Sequence, residues 1–167
     1  MKRMWIACAV LAFVTMGRAA SVEPVVTEGI VNAPVEEVWK AFTTKQGIES
    51  WMVAKTEFEL RVGATWRTSY NKDSNLNDDA SIHHTILAYD PGRMLAFRTI
   101  KTPRNFPFPN ALPKTWNVVY FEPAGPGRTK VTTHMLGYED NDESQKMRTF
   151  FEAGNKTTMD SLIKRFQ

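Results

Sequence analysis

The chain has 167 residues, enough for one domain with a sizeable core, and carries 21 basic and 18 acidic side chains and a single cysteine. Lys2, Arg3, Arg18 and Cys8 all lie within residues 1–19, so the chain beyond residue 19 is formally neutral and cysteine-free. A neutral chain presents no basic field to nucleic acid or anionic lipid, and a chain without cysteine has neither disulfides nor thiolate chemistry. We therefore expect no nucleic acid among its partners.

The first residues have the organisation of a secretory signal. Lys2 and Arg3 precede an apolar run over residues 4–16, and small residues lead to Ala19. This order predicts a signal peptide over residues 1–19, with cleavage after Ala19. The alternative, an uncleaved membrane anchor, is disfavoured because a bilayer-spanning helix needs about 20 apolar residues. We therefore expect an exported protein, periplasmic or secreted, with no membrane attachment after cleavage.

A short strand and two short helices open the rest of the chain. The segment VVTEGIV, residues 25–31, is rich in β-branched residues, which predicts a strand. Pro34 suits the first position of a helix. An apolar stripe at helical spacing follows it: Val35, Val38, Trp39 and Phe42. A second short helix is predicted over residues 45–52.

The middle of the chain favours an antiparallel sheet. Alternating or β-branched residues fill the segments TEFEL, RVGATWRTSY, SIHHTILAY, MLAFRTI, WNVVYFE and TKVTTHMLGY. Two of the junctions between them, DPGR and PAGPGR, contain the proline and glycine of tight turns. Strands that are joined by hairpin turns predict an antiparallel sheet.

A proline-rich segment interrupts the strands between Thr102 and Pro113. Its four prolines exclude a regular strand or helix, so we interpret the segment as an extended flap. Phe106 and Phe108 lie within it. Because of these aromatic residues, we hypothesise that the flap closes the mouth of a cavity.

A long helix is predicted at the end of the chain. Asp142 is expected to cap it, because Gln145 follows at capping-box spacing. Its apolar face comprises Met147, Phe150, Phe151, Leu162, Ile163 and Phe166. Gly154 lies in the middle of this helix, where glycine costs about 1 kcal/mol relative to alanine. We expect a close backbone approach there, or room for another molecule.

Four stretches of this sequence resemble motifs of one superfamily. They are VNAPVEEVWKAFTTKQGIESWM, LRVGATWR, ILAYDPGRMLAFRT and PAGPGRTKVTTHMLGY. Over residues 24–167 the chain resembles the START-like (SRPBCC) superfamily, and within it the branch related to the activator of the ninety-kilodalton heat-shock protein ATPase. The resemblance implies an α+β helix-grip fold: a curved antiparallel sheet of about six or seven strands wrapped around a long C-terminal helix, with two short helices after the first strand.

The resemblance also implies an apolar cavity between the sheet and the C-terminal helix. Members of the superfamily bind lipids, hormones or polyketides there, and some are cyclases or dehydratases. We therefore expect an exported protein that binds a small apolar or amphipathic molecule and needs no cofactor. A cytosolic chaperone partner is not expected for a chain with an export signal. The residues predicted to bind the ligand are Trp51, Trp66, His84, Ile86, Phe97, Trp116, Asn117, Phe121, Thr133, Met135, Phe151, Gly154 and Thr158.

Two alternative functions remain open. One is an enzyme of the cyclase or dehydratase kind, with His84, Tyr120 or Arg98 as acid, base or electrostatic stabiliser. The sequence contains neither a Gly-x-Ser-x-Gly nor a His-Glu-x-x-His motif, so no catalytic residue is assigned. The other alternative is a protein-binding module with a filled core, which a large exposed apolar patch would favour.

No metal site is predicted. His83 and His84 are adjacent on a strand, so they point to opposite faces and cannot bind one metal ion together. His84 shares a face with Ile82 and Ile86, which makes it the histidine expected in the cavity. The segment DSNLND, residues 73–78, faintly resembles a calcium loop but lacks glycine at the sixth position, so we interpret it as a polar hairpin loop.

Overall fold

The computed structural model of the protein describes residues 22–167, and the predicted signal peptide lies outside the described residues. The strands are β1 Val25–Val31, β2 Lys55–Glu57, β3 Thr65–Ser69, β4 Ile82–Asp90, β5 Met94–Lys101, β6 Trp116–Pro123 and β7 Thr129–Leu136. The helices are α1 Val35–Thr43, α2 Lys45–Glu49 and α3 Asp142–Arg165, with a short 3-10 helix at Leu112–Lys114. The predicted order of elements is confirmed.

The strands form one antiparallel sheet in the order β1-β7-β6-β5-β4-β3-β2. The sheet curves around α3, which packs against the edge strand β1. At Gly29 of β1 a Cβ atom would lie 2.9 Å from side-chain atoms of Met159 and Ile163. Glycine therefore lets the helix approach this strand closely. The helix-grip fold that the resemblance implied is confirmed.

The two short helices are held together by a second close approach. A Cβ atom on Gly47 would lie 2.1 Å from the carbonyl oxygen of Lys40 and 2.7 Å from Cα of Ala41. Thr44 caps α2, its hydroxyl accepting a hydrogen bond from the Gly47 amide at 3.0 Å. The helix ends at Glu49, earlier than the sequence predicts, and Trp51 then turns back to donate from Nε1 to the Ala41 carbonyl at 3.0 Å.

The strands β2 and β3 are shorter than the sequence predicts. The residues between Glu57 and Thr65 form turns in which Gly63 has a φ of +80°, a conformation that glycine adopts without strain. The Gly63 amide donates to the Ile86 carbonyl at 2.8 Å, and the Ala64 amide donates to the Arg61 carbonyl at 2.9 Å. These turn contacts replace the ladder that the alternating pattern favoured.

The cap of α3 is Asn141, and the prediction of Asp142 as cap is wrong. Asn141 has extended backbone, and its side-chain oxygen accepts the Ser144 amide at 2.9 Å. The Ser144 hydroxyl in turn accepts the Glu139 amide at 2.8 Å. Asp142 is the first helical residue, where its charge is favourable to the helix dipole.

The described residues form two separate apolar cores. The first core packs α1 and α2 on the sheet and includes Val38, Phe42, Ile86, Leu95, Phe121 and Leu162. The second core lies between β7, the flap and the start of α3, and includes Val25, Ala111, Leu112, Met135, Tyr138 and Met147. Part of the concave face is left uncovered.

Candidate ligand cavity

A cavity of about 370 Å³ lies between the sheet, α3 and the flap. Its floor is formed by side chains of five strands: Trp66, Thr68, Ile82, His84, Phe97, Thr99, Asn117, Val119 and Thr133. Its roof is formed by α3 and the flap: Phe150, Phe151, Asn155, Thr158, Met159, Leu162, Thr102, Pro103, Phe106 and Leu112. Phe42, Trp51, Met52, Val53 and Tyr70 complete the wall. This volume lies at the lower end of the about 300–1,000 Å³ typical of small-molecule sites.

The structure brings eight of the predicted ligand-binding residues together on this wall. They are Trp51, Trp66, His84, Phe97, Asn117, Thr133, Phe151 and Thr158. They come from strands, from α3 and from the segment after α2, so only the tertiary fold makes them neighbours. That they contact a ligand stays a prediction.

Three predicted residues face the concave side but lie outside the cavity. Ile86 and Phe121 belong to the first core, and Phe121 packs edge-on against Phe42 at 5.0 Å between ring centroids. Met135 belongs to the second core, where the Tyr138 hydroxyl donates to its sulfur at 2.9 Å. Strand alternation gave the correct face for each, but these positions along the strand are covered by α1 or by the flap.

Trp116 and Gly154 do not line the cavity either. Trp116 precedes Asn117 on β6, so strand alternation directs it to the opposite face. Gly154 is exposed, and a Cβ atom placed on it would have no neighbour within 4 Å. The expected close backbone approach is therefore wrong, and the open space beside this glycine lies outside the cavity wall.

His84 lies against the aromatic floor of the cavity. Its ring is 4.8 Å from that of Trp66 and 5.4 Å from that of Phe97, and Nδ1 is 3.0 Å from the hydroxyl oxygen of Thr99. Burial, and to a smaller extent the neighbouring His83, lower the pKa of His84 to about 3. His84 is therefore a neutral imidazole at physiological pH. Among the described residues, no group is hydrogen-bonded to its Nε2.

Trp66 is fixed by a buried hydrogen-bond relay. Its indole Nε1 donates to the hydroxyl of Thr56 at 2.9 Å, and that hydroxyl donates to the Arg67 carbonyl at 2.7 Å. Phe58 packs edge-on against the indole at 5.4 Å. The indole N–H is thus satisfied away from the cavity, and the ring presents an apolar surface to it.

The cavity wall contains no ionised side chain. Among the described residues that line it, none is Asp, Glu, Lys or Arg. Its polar groups are hydroxyls, the imidazole of His84 and the carboxamides of Asn117 and Asn155. The Asn155 amide nitrogen is buried without a hydrogen-bond partner in the described part of the chain. The site can therefore offer hydrogen bonds to a ligand, but no charge.

The flap is fastened to α3 beside the cavity. Phe106 and Phe108 pack against Phe150 and Phe151 of the helix, with ring centroids 5.6–6.3 Å apart. The carboxylate of Glu143 accepts the amides of Asn110 and Ala111 at 2.9 and 3.1 Å and the Asn110 side chain at 3.1 Å. These bonds lower the pKa of Glu143, the Asn110 amide most of all.

An ion pair holds the other end of the flap, and two exposed aromatic side chains mark the mouth of the cavity. Arg104 pairs with Asp79 at 2.5 Å. Tyr70 and Phe150 line the cavity although 73% and 51% of their surfaces are exposed. Two exposed aromatic side chains on the wall mark the side on which the cavity meets solvent.

Two polar residues that the sequence suggested for catalysis lie away from the cavity. Tyr120 is 42% exposed and packs edge-on against His134 at 5.5 Å, on the opposite face of the sheet from Val119. Arg98 also alternates away from Phe97 and Thr99 on β5. Of the three suggested groups, only His84 is on the wall.

Sequence reasoning missed several wall residues, and two could have been found. Phe151, Asn155 and Thr158 follow one another at helical spacing, so the apolar stripe of α3 points to Asn155 rather than Gly154. Thr99 lies opposite His84 in the hairpin that DPGR closes. The flap residues Thr102 and Pro103 carry no such periodic signal.

The described residues show no cluster of His, Cys, Asp or Glu that could hold a metal ion. In the loop over residues 73–78, lysine ammonium groups bind the backbone carbonyl oxygens instead. Lys55 donates to Ser74, and Lys101 donates to Asp78 at 2.6 Å.

Within residues 22–167, no helix has the length and apolarity to span a bilayer.

The curved sheet, the long helix and the cavity between them define a helix-grip domain. Residues 32–167 match the family model described as "Activator of Hsp90 ATPase homolog 1-like protein", and the chain belongs to this family. The resemblance seen in the sequence is thereby confirmed. A comparison with curated proteins finds no match.

Solved structures share the fold at low sequence identity. Protein MLL2253 from Mesorhizobium loti matches with a TM-score of 0.66 and 19% identity, over 85% of this chain and 95% of the other. The Aha1 dimer from Colwellia psychrerythraea matches with a TM-score of 0.62 and 16% identity, over 87% and 96%. DynU16, a protein of the dynemicin biosynthetic locus, matches with a TM-score of 0.65 and 19% identity, over 86% and 46%.

Proposed function

We propose that this protein is an exported binding protein that holds a small hydrophobic or amphipathic molecule between the sheet and α3. One observation carries the proposal: an open, mainly apolar cavity of about 370 Å³ lies between the sheet and α3, and members of both apolar cores line it. Apolar walls with a few convergent polar groups are the usual composition of small-molecule sites. Export is proposed from the signal-like residues 1–19.

The cavity favours this proposal over the two alternatives. A protein-binding module with a filled core needs no such space. An enzyme of the cyclase or dehydratase kind retains one supporting observation, the neutral imidazole of His84 on the wall. Arg98 and Tyr120, the alternative candidates for acid, base or electrostatic stabiliser, lie outside the cavity wall, so a binding role is the better supported function.

Native mass spectrometry tests the binding role. The chain is expressed from Met1, recovered after export, incubated with a solvent extract of the producing cells, and weighed. We expect a chain that starts at Ala20 and carries a bound molecule that organic solvent releases. Thr133→Phe, which fills the cavity, should abolish the added mass, and the outer-face variant Tyr120→Phe should retain it. The same added mass in all three proteins, or no added mass in any of them, would overturn the proposal.

A further inference from the structure

The polar groups of the cavity restrict the chemistry of its ligand. The wall, the mouth residues Tyr70 and Phe150 included, carries no ionised side chain among the described residues. To bind here, an ionised ligand group would lose its hydration and find no opposite charge in the cavity. The transfer of such a group from water to the cavity is strongly unfavourable. A carboxylate, phosphate or ammonium group is therefore a poor occupant of this site.

An entirely apolar occupant fits the site poorly as well. The Asn155 amide nitrogen is buried, and no group within residues 22–167 accepts its hydrogen bonds. Asn155 also lines the cavity. A buried donor without an acceptor is costly, and an apolar ligand that excludes water from the cavity would make the cost permanent. An oxygen atom on the ligand would remove it.

The sheet side of the cavity also supplies groups that suit an uncharged ligand with a polar oxygen atom. Asn117 and His84 line the cavity from β6 and β4, and no hydrogen bond within the described chain occupies the Asn117 side chain or Nε2 of His84. A hydroxyl or carbonyl group can bond to a carboxamide and to a neutral imidazole in either tautomer. Phe97 on β5 lies between His84 and Asn117, and its ring is 5.1 Å from that of Trp66 on β3.

We infer that the ligand is an uncharged, compact ring compound whose hydroxyl or carbonyl oxygen accepts a hydrogen bond from Asn155, an inference that rests on the proposed binding function. The ring body packs on the aromatic floor of Trp66 and Phe97. The small volume of the cavity excludes large ligands, and the uncharged wall selects against acids and amines of the same skeleton.

The test uses four probes of one skeleton: naphthalene, 2-naphthol, 2-naphthoate and 2-naphthylmethylammonium. Their dissociation constants are measured at neutral pH by quenching of tryptophan fluorescence, with calorimetry as a second readout. We expect 2-naphthol to bind about tenfold more tightly than naphthalene and about 100-fold more tightly than either ion. Either ion binding within tenfold of 2-naphthol would overturn the inference and leave the binding function intact.

The variant Asn155→Leu separates the polar contact from the apolar one. It should bind naphthalene as tightly as the wild type and lose the preference for 2-naphthol. Retained naphthalene binding also shows that the variant is folded. The matched control is Gln145→Leu, which removes an exposed carboxamide from the same helix and should keep the preference. An unchanged preference in Asn155→Leu would overturn the inference. If no probe binds, the inference fails, and the mass measurement on extracted molecules decides the proposed function independently.

Discussion

The ring nitrogen Nδ1 of His84 and the hydroxyl oxygen of Thr99 lie 3.0 Å apart on strands β4 and β5, where the two residues are direct partners in the ladder. This contact holds the imidazole in place on the cavity floor, and its Nε2 has no hydrogen-bond partner among the described residues. The surrounding rings of Trp66 and Phe97 exclude the water that would solvate a charged imidazole. His84, the one histidine that lines the cavity within residues 22–167, is thereby held neutral.

This environment predicts a pH dependence of stability. The pKa of His84 is about 3 in the folded protein against 6.5 for an ordinary histidine, so between these values the unfolded chain binds more protons. Stability is therefore lost as the pH falls through 6.5, by about 2 kcal/mol from about pH 7 to about pH 5. Urea unfolding at both values should show a smaller loss in His84→Gln than in the wild type. The same loss in both proteins would contradict the assignment.

The relay beneath Trp66 predicts a stability effect that depends on one hydroxyl. Thr56→Val keeps the shape of the side chain but leaves the buried indole N–H without an acceptor, which costs about 1–3 kcal/mol. The control Thr56→Ser retains the hydroxyl and should lose less. Urea unfolding, followed by tryptophan fluorescence, measures both. Equal free energies of unfolding for the two variants would show that the hydrogen bond is unimportant.

Replacing each of two helical glycines by alanine should change the stability of the protein in opposite directions. Gly154 is exposed with no neighbour for a Cβ atom, so Gly154→Ala should raise the free energy of unfolding by about 0.5–1 kcal/mol through helix propensity. At Gly47 the new atom would meet backbone atoms of Lys40 and Ala41, so Gly47→Ala should destabilise the protein. Thermal unfolding of the two variants checks both directions. A destabilised Gly154→Ala would reveal a contact on that face of α3.

The sequence predicted the fold well because strong local signals agreed with one another. The stripe that begins at Val35, the DPGR turn and the apolar face of α3 each required an element that the structure contains. The cap of α3 was misplaced by one residue because Asn141 and Asp142 are both good caps, and only the observed backbone distinguishes them.

The cavity was harder to predict because strand alternation specifies a face and not a depth. Ile86, Phe121 and Met135 were placed on the correct side of the sheet, yet α1 or the flap covers them. Which part of a concave face stays open depends on packing between distant segments. Asn155 was missed for a different reason: a single asparagine in a polar helix has no pattern of its own until the neighbouring apolar residues fix the helix orientation.

The bond between Glu143 and the flap predicts that one carboxylate controls access to the cavity. Removing it in Glu143→Ala frees the amides of Asn110 and Ala111, so their hydrogen exchange and the dissociation of 2-naphthol should both become about tenfold faster.

The control for this prediction is Asp142→Ala, because it removes a neighbouring acid from the same first turn of α3 without touching the flap. Both variants weaken the favourable charge at the helix dipole, so any difference between them isolates the bonds to the flap.

Because those bonds hold the pKa of Glu143 below its ordinary value, the fastening is complete at neutral pH and is lost as the pH falls through the lowered pKa. In the wild type, the protection factors of the Asn110 and Ala111 amides, taken relative to intrinsic exchange at each pH, should fall in acid, and in Glu143→Ala they should not. Equal exchange in the two alanine variants at neutral pH would mean that the phenylalanine contacts alone hold the flap.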